Sequence, residues 1–111
     1  MSTLLPTDLN NNPIPAVRFK NDGAHQIDIA AESARNDTAF GGATRIISLF
    51  ATEDAYIAFG GDAVTATDDD HFFPAGIYYD VAIGGGNAPQ YTHIAVLAVE
   101  SDGMLYISEK E

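Results

Sequence analysis

The chain has 111 residues, the length of one domain that buries only about 65% of the surface of its unfolded form. Its 16 acidic and 5 basic residues give a net charge of -11, which argues against a nucleic-acid or anionic-membrane surface, because both need a basic footprint. Cysteine is absent and 46% of residues are apolar, so the chain is expected to fold without a disulfide scaffold, a thiol nucleophile or a Cys-ligated zinc.

Residues 1–13 read as an extended arm. Leu4, Leu5 and Leu9 are interrupted by Pro6, Pro13 and the run Asn10-Asn11-Asn12, and no helical period survives such breakers. The arm is either a loose terminus or a strap that lays these three leucines on a neighbouring subunit. On the second reading Leu4, Leu5 and Leu9 are the partner-binding residues. No basic n-region or apolar h-region opens the chain, so no signal peptide is expected. No apolar run approaches the ~18 residues of a bilayer span, and no membrane partner is expected.

Residues 14–111 read as a single β domain. Val17 and Phe19 alternate with Arg18 and Lys20, and Ile27 and Ile29 with Gln26 and Asp28. The turn signal Asn21-Asp22-Gly23 between them predicts a hairpin. Ala30 to Arg35 is too short for an independent helix and reads as strand or irregular connection. Thr44 to Ala51 is a branched apolar strand, and Glu53-Asp54 turns it into Ala55 to Phe59. Val64-Thr65 predicts a short strand, and Asp68-Asp69-Asp70 a solvated loop. Strands follow at Ile77 to Ile83, Tyr91 to Val99 and Met104 to Ser108. The nearly all-apolar Ile94 to Val99 predicts a central strand covered on both sides, and Ser101-Asp102-Gly103 predicts a hairpin that pairs it with the last strand. About eight short strands and no long helix predict an antiparallel β-sandwich or jelly-roll-like barrel.

The chemistry-bearing residues do not form a recognisable site. Asp68, Asp69 and Asp70 precede His71, but consecutive side chains of an extended segment diverge, and the glycine and distal glutamate of an EF-hand are missing. His25, His71 and His93 have no HxxxH or HExxH spacing, and His93 is expected at a sheet edge. Ser33, Ser48, Ser101 and Ser108 lack a nucleophile elbow. Gly41-Gly42, Gly60-Gly61 and Gly84-Gly85-Gly86 open no helix and lack the P-loop lysine. Asn36-Asp37-Thr38 fits a glycosylation sequon, a weak signal without a secretory leader. Tyr56, Tyr78, Tyr79, Tyr91 and Tyr106 are the candidates for a carbohydrate-binding platform, although tyrosines of a sandwich are more often core residues with a wet hydroxyl. No catalytic, metal-binding or cofactor-binding residue is nominated, and an enzyme is not expected.

Five segments recur in order: Thr44-Arg45-Ile46-Ile47, Ala51 to Gly60, Phe73-Pro74-Ala75-Gly76, His93-Ile94-Ala95-Val96 and Gly103 to Ser108. Together they resemble small proteins encoded among the head genes of tailed bacteriophages and prophages, which carry a Y-I-x-F-G strand, a P-A-G turn, an I-A-V strand and a terminal G-x-L-Y-I-[ST] strand. The resemblance covers about residues 44–108 and omits the arm. It implies a non-enzymatic virion protein, foremost a capsid decoration or cement protein. Such a protein is made in the host cytoplasm, sits on the outer capsid surface as a homotrimer and clamps the major capsid protein. A head–tail connector or tail accessory protein is the alternative within the virion. A small carbohydrate- or receptor-binding module is the alternative outside it.

Overall fold

The described residues form eight strands, several of them with buried apolar side chains at alternate positions. In the computed structural model, which describes residues 9–12, 17–85 and 89–111, these are β1 (Phe19–Ile29), β2 (Ala34–Arg35), β3 (Ile46–Ala51), β4 (Ala55–Gly60), β5 (His71–Phe73), β6 (Tyr78–Ala82), β7 (His93–Ala98) and β8 (Gly103–Lys110). They form two four-stranded antiparallel sheets, ordered β1-β8-β3-β6 and β2-β7-β4-β5. First pairs with last, second with seventh, third with sixth and fourth with fifth. That is one long antiparallel ribbon rolled on itself, the strand order of a jelly roll. The all-β sandwich expected from the sequence is the fold observed.

The inner faces of the sheets supply one core. Ile27, Ile29, Ile47, Leu49, Leu105 and Ile107 come from the first sheet, and Ala55, Ile57, Phe73, Ile94 and Val96 from the second. Phe40 and Ile83, from connecting segments, complete it. Each fully buried Ile or Leu contributes about 1.5–3 kcal/mol.

Three expectations about hairpins and strands are corrected. The N-terminal hairpin does not form, because both halves belong to β1, and Asn21-Asp22-Gly23 is a bulge at which the pairing with β8 shifts. Asp22 takes a φ of 63° there, and a Cβ on Gly23 would come within 2.9 Å of Glu109 Cβ. The turn signal is satisfied without reversing the chain, since the eight residues of β8 offer β1 a partner on both sides of the bulge. The hairpin between the last two strands does not form either. β7 lies between β2 and β4 in the second sheet, whereas β8 lies between β1 and β3 in the first. β8 alternates buried and open positions, as a strand with one wet face does. β7 is buried through four consecutive residues and needs cover on both faces. Finally, Val64-Thr65 is not a strand. The loop 61–70 instead provides that cover, with Val64 and Ala66 packed on Ala58 and Ala95 and the Ala66 amide donating to Ser33 Oγ at 2.8 Å.

Asn36 extends the short β2. Its Oδ1 accepts from the Ile94 amide at 2.9 Å, and its Nδ2 donates to the carbonyls of Thr38 and Thr92. The side chain is 3% exposed, so the sequon asparagine is a buried structural group rather than a glycan acceptor. His93 is also buried, at the start of the central β7 rather than at a sheet edge, and its Nδ1 lies 2.8 Å from Thr92 Oγ1.

Among the described residues one carboxylate sits inside the sandwich. Glu109 points inward from β8 and is 3% exposed. Its Oε1 accepts from Thr44 Oγ1 at 2.6 Å and from the Gly41 amide at 2.8 Å. Its Oε2 accepts from His25 Nε2 at 2.8 Å, which places a proton on that nitrogen, and Lys20 Nζ lies 3.6 Å from Oε1. Burial pushes the Glu109 carboxyl up, but the bonds from Thr44, His25 and Gly41 and the Lys20 charge outweigh it and hold the group below the usual carboxylate range. A depressed folded-state pKa stabilises above the unfolded value, and the stabilisation disappears as pH falls through the folded one. Glu109→Gln is therefore expected to cost about 3 kcal/mol at pH 7. The gap to wild type should narrow below about pH 4.5, as read by urea unfolding at both pH values. A gap that is constant from pH 7 to 3 contradicts this role.

Candidate interaction surface

The register of the first sheet determines what its outer face displays. Side chains pointing away from the core fall into rows that cross the strands. One row runs Gln26, Tyr106, Phe50, Tyr78 from β1 through β8 and β3 to β6. The next runs Ala24, Ser108, Ser48, Asp80, and the third Phe19, Lys110, Ile46, Ala82. Tyr106, Phe50 and Tyr78 are 44%, 36% and 55% exposed, so three aromatics stand in line over about 10 Å of adjacent strands. Phe19 is exposed at the far corner.

A single cation ties this face together. Lys110 Nζ lies 2.8 Å from Asp80 Oδ1, 4.9 Å from the Tyr78 ring centroid and 5.5 Å from that of Phe19. Its stem covers apolar surface while its head finds the only carboxylate in the three rows. Burial pushes the Lys110 pKa down, and hydrogen bonds with Asp80 and Tyr78 more than offset it, so the ammonium titrates above its usual value. Hydrogen bonds with Lys110 and Ser48 hold the Tyr78 phenol below its usual value. These three rows thus carry no net charge on a chain whose total is -11, although Asp28, exposed in the next row opposite Met104, adds a negative charge at the β1 side of the face.

The aromatic surface continues around the β6 edge into a groove of about 430 Å³ between β5 and β6, where the two sheets part. Tyr79, Val81, Ile77 and Phe72 line it, with Leu49 and Ile57 at its floor.

The candidates nominated from sequence are scattered. Leu4 and Leu5 lie outside the described residues, and Leu9 is fully exposed. Asp70 caps its own loop, its carboxylate accepting from the Thr67 amide at 2.7 Å. Among the described residues, no group of three or more metal-ligating side chains converges. Of the five tyrosines, only Tyr78 and Tyr106 share the row. Tyr79 lines the groove, Tyr91 stacks on Phe59 at 5.5 Å, and Tyr56 meets Phe72 edge-on at 6.3 Å. Phe50, Phe19, Asp80 and Lys110 were missed as surface residues. The alternation from Met104 to Lys110 carried the signal, because Leu105 and Ile107 inside require Tyr106, Ser108 and Lys110 outside. No family model, no curated protein and no solved structure matches the chain.

Lys110→Ala is expected to cost about 1 kcal/mol, the sum of a cation–aromatic contact and a partly exposed ion pair. A loss of roughly 4–8 °C in Tm follows for a domain of this size. The raised folded-state pKa means that the contribution is full below the unfolded value and lost as pH rises past the folded one. A thermal scan at pH 7 that shows no change for the variant contradicts the role given to Lys110.

Proposed function

We propose that this chain is a non-enzymatic virion structural protein that decorates a tailed-phage capsid from outside and stabilises it by bridging major capsid subunits. The observation that carries the reading is the uncharged aromatic row Tyr106, Phe50, Tyr78 on the outer sheet face. Interface cores are rich in aromatics and poor in charge, and a row of this kind on an otherwise acidic surface offers the anchors of a protein contact. The segments that resemble phage head proteins lie on β3, β4, β7, β8 and the turn between β5 and β6. Jelly rolls recur in viral shells, an analogy of fold that adds weight and no more. The remaining acidic surface keeps a densely displayed protein soluble and repels stray nucleic acid. Leu4, Leu5 and Leu9 of the arm supply further apolar contact with the shell, each contributing about 1.5–3 kcal/mol when covered.

A trimer at local three-fold positions is implied by the resemblance only. A head–tail connector differs from a decoration protein in copy number rather than chemistry. The aromatic row also favours one reading outside the virion, because flat rings beside Gln26, Ser108 and Asp80 suit a sugar ligand.

Binding to heads stripped of this chain tests the proposal by co-sedimentation. Tyr106→Ala is expected to weaken binding about tenfold or more, and deletion of residues 1–12 to weaken it while the circular dichroism spectrum stays unchanged. Unaltered binding by both variants overturns the proposal. Glycan binding that is lost on Tyr106→Ala, with no affinity for heads, replaces it with the sugar-binding module.

A further inference from the structure

The sandwich ends in four edge strands, and three of them are blunted. β1 carries the bulge at Asp22, β2 has only two residues, and β5 has three and runs into Pro74. These are the devices by which folded proteins stop edges from pairing. β6 has none of them. It runs five residues, Tyr78–Ala82, with no proline, lysine or bulge, its one charge, Asp80, is paired with Lys110 of the same chain, and it is the terminal strand of its sheet.

The phase of its ladder shows which backbone groups point outward. Ile83 N donates to Arg45 O at 2.8 Å, so Ile83 and Arg45 form a hydrogen-bonded pair in the register that continues from Ala82↔Ile46. Pairs alternate along an antiparallel ladder. Val81 and Tyr79 therefore bond to β3, and Tyr78, Asp80 and Ala82 turn their N–H and C=O groups to the side on which no strand of the described residues lies.

We propose that β6 pairs with β6 of a second copy of this chain, antiparallel about a two-fold axis at Asp80, to make one continuous eight-stranded sheet. The side chains are self-complementary in that register. The exposed Tyr78 meets the small Ala82 of the second copy, and Tyr79 meets Val81 over the mouth of the groove. Asp80 meets Asp80, but each is held by its own Lys110 at 2.8 Å, so no bare like charges confront one another. Three outward residues per copy give about six new backbone hydrogen bonds. Phe72, Tyr78 and Tyr79 are each just over half exposed and provide roughly 100 Å² apiece, with Ile77 in addition. That is under half of the ~800 Å² per partner of a standard interface, so the pair forms in a concentration-dependent way. The row of Phe50 and Tyr106 stays open on the joined outer face. The inference does not depend on shell binding.

The chain has no cysteine, so introduced thiols read the register directly. Tyr79→Cys and Val81→Cys are made as separate chains, mixed and oxidised. In the proposed ladder these positions are a non-hydrogen-bonded pair with Cα atoms about 4.5 Å apart, within disulfide reach. The mixture is expected to give a disulfide-linked species of twice the chain mass. Tyr78→Cys alone gives none, because its two copies stand about 13 Å apart along the strands. Wild-type sedimentation equilibrium is expected to rise from one-copy to two-copy mass with concentration. A mixture that does not cross-link while both variants keep the wild-type circular dichroism spectrum overturns the proposal. So does equal cross-linking by Tyr78→Cys, or a wild-type mass that stays at one copy or rises to three.

Discussion

The buried carboxylate of Glu109 holds the register on which the rest of the molecule depends. It bonds to β1 through His25 and to the 41–44 turn through Gly41 and Thr44, and so pins the end of β8 against both neighbours. β8 is paired on both sides, with β1 and β3. A slip of one residue would send Leu105 and Ile107 to solvent and Tyr106 and Lys110 into the core. The bonded acid makes that slip costly twice over, because it would also strand a charge. Core and outer face are thus two consequences of one constraint.

The strands were legible in the sequence because alternation is a local signal. Ile47, Leu49, Leu105 and Ile107 announce their strands, and the apolar run of β7 announces a strand covered on both sides. Pairing was less legible, because a jelly roll joins strands that are distant in sequence. Ser101-Asp102-Gly103 carries the chemistry of a hairpin turn yet connects one sheet to the other. Asn21-Asp22-Gly23 reads as a reversal and is a bulge. No local rule shows that the 61–70 loop covers β7, or that Asn36 spends its amide on extending β2. The outer row needed register as well as alternation. Tyr106 is outward by its neighbours alone, but its place beside Phe50 and Tyr78 rests on pairings across 56 and 28 residues.

The cations are distributed to match. Lys20 is 3.6 Å from the buried Glu109, Arg18 is 3.6 Å from Glu111, and Lys110 holds Asp80. Three of the five basic residues thus serve the first sheet, where Asp22 and Asp28 of β1 are exposed outside these pairs, and most of the other acids lie beyond it. Acidic repulsion keeps most approaches to the protein unfavourable, while one uncharged aromatic row and one edge without bulge or proline remain. On this account the edge joins copies and the face meets the shell.

Amide exchange along β6, resolved by residue over a dilution series, tests most directly whether this side of the sandwich is the working one. Tyr79 and Val81 should be protected at every concentration, since they bond to β3. Tyr78, Asp80 and Ala82 should become protected as concentration rises, in step with the sedimentation mass. Exchange of those three amides at the rate of an open strand, at concentrations where the mass has doubled, would contradict the account.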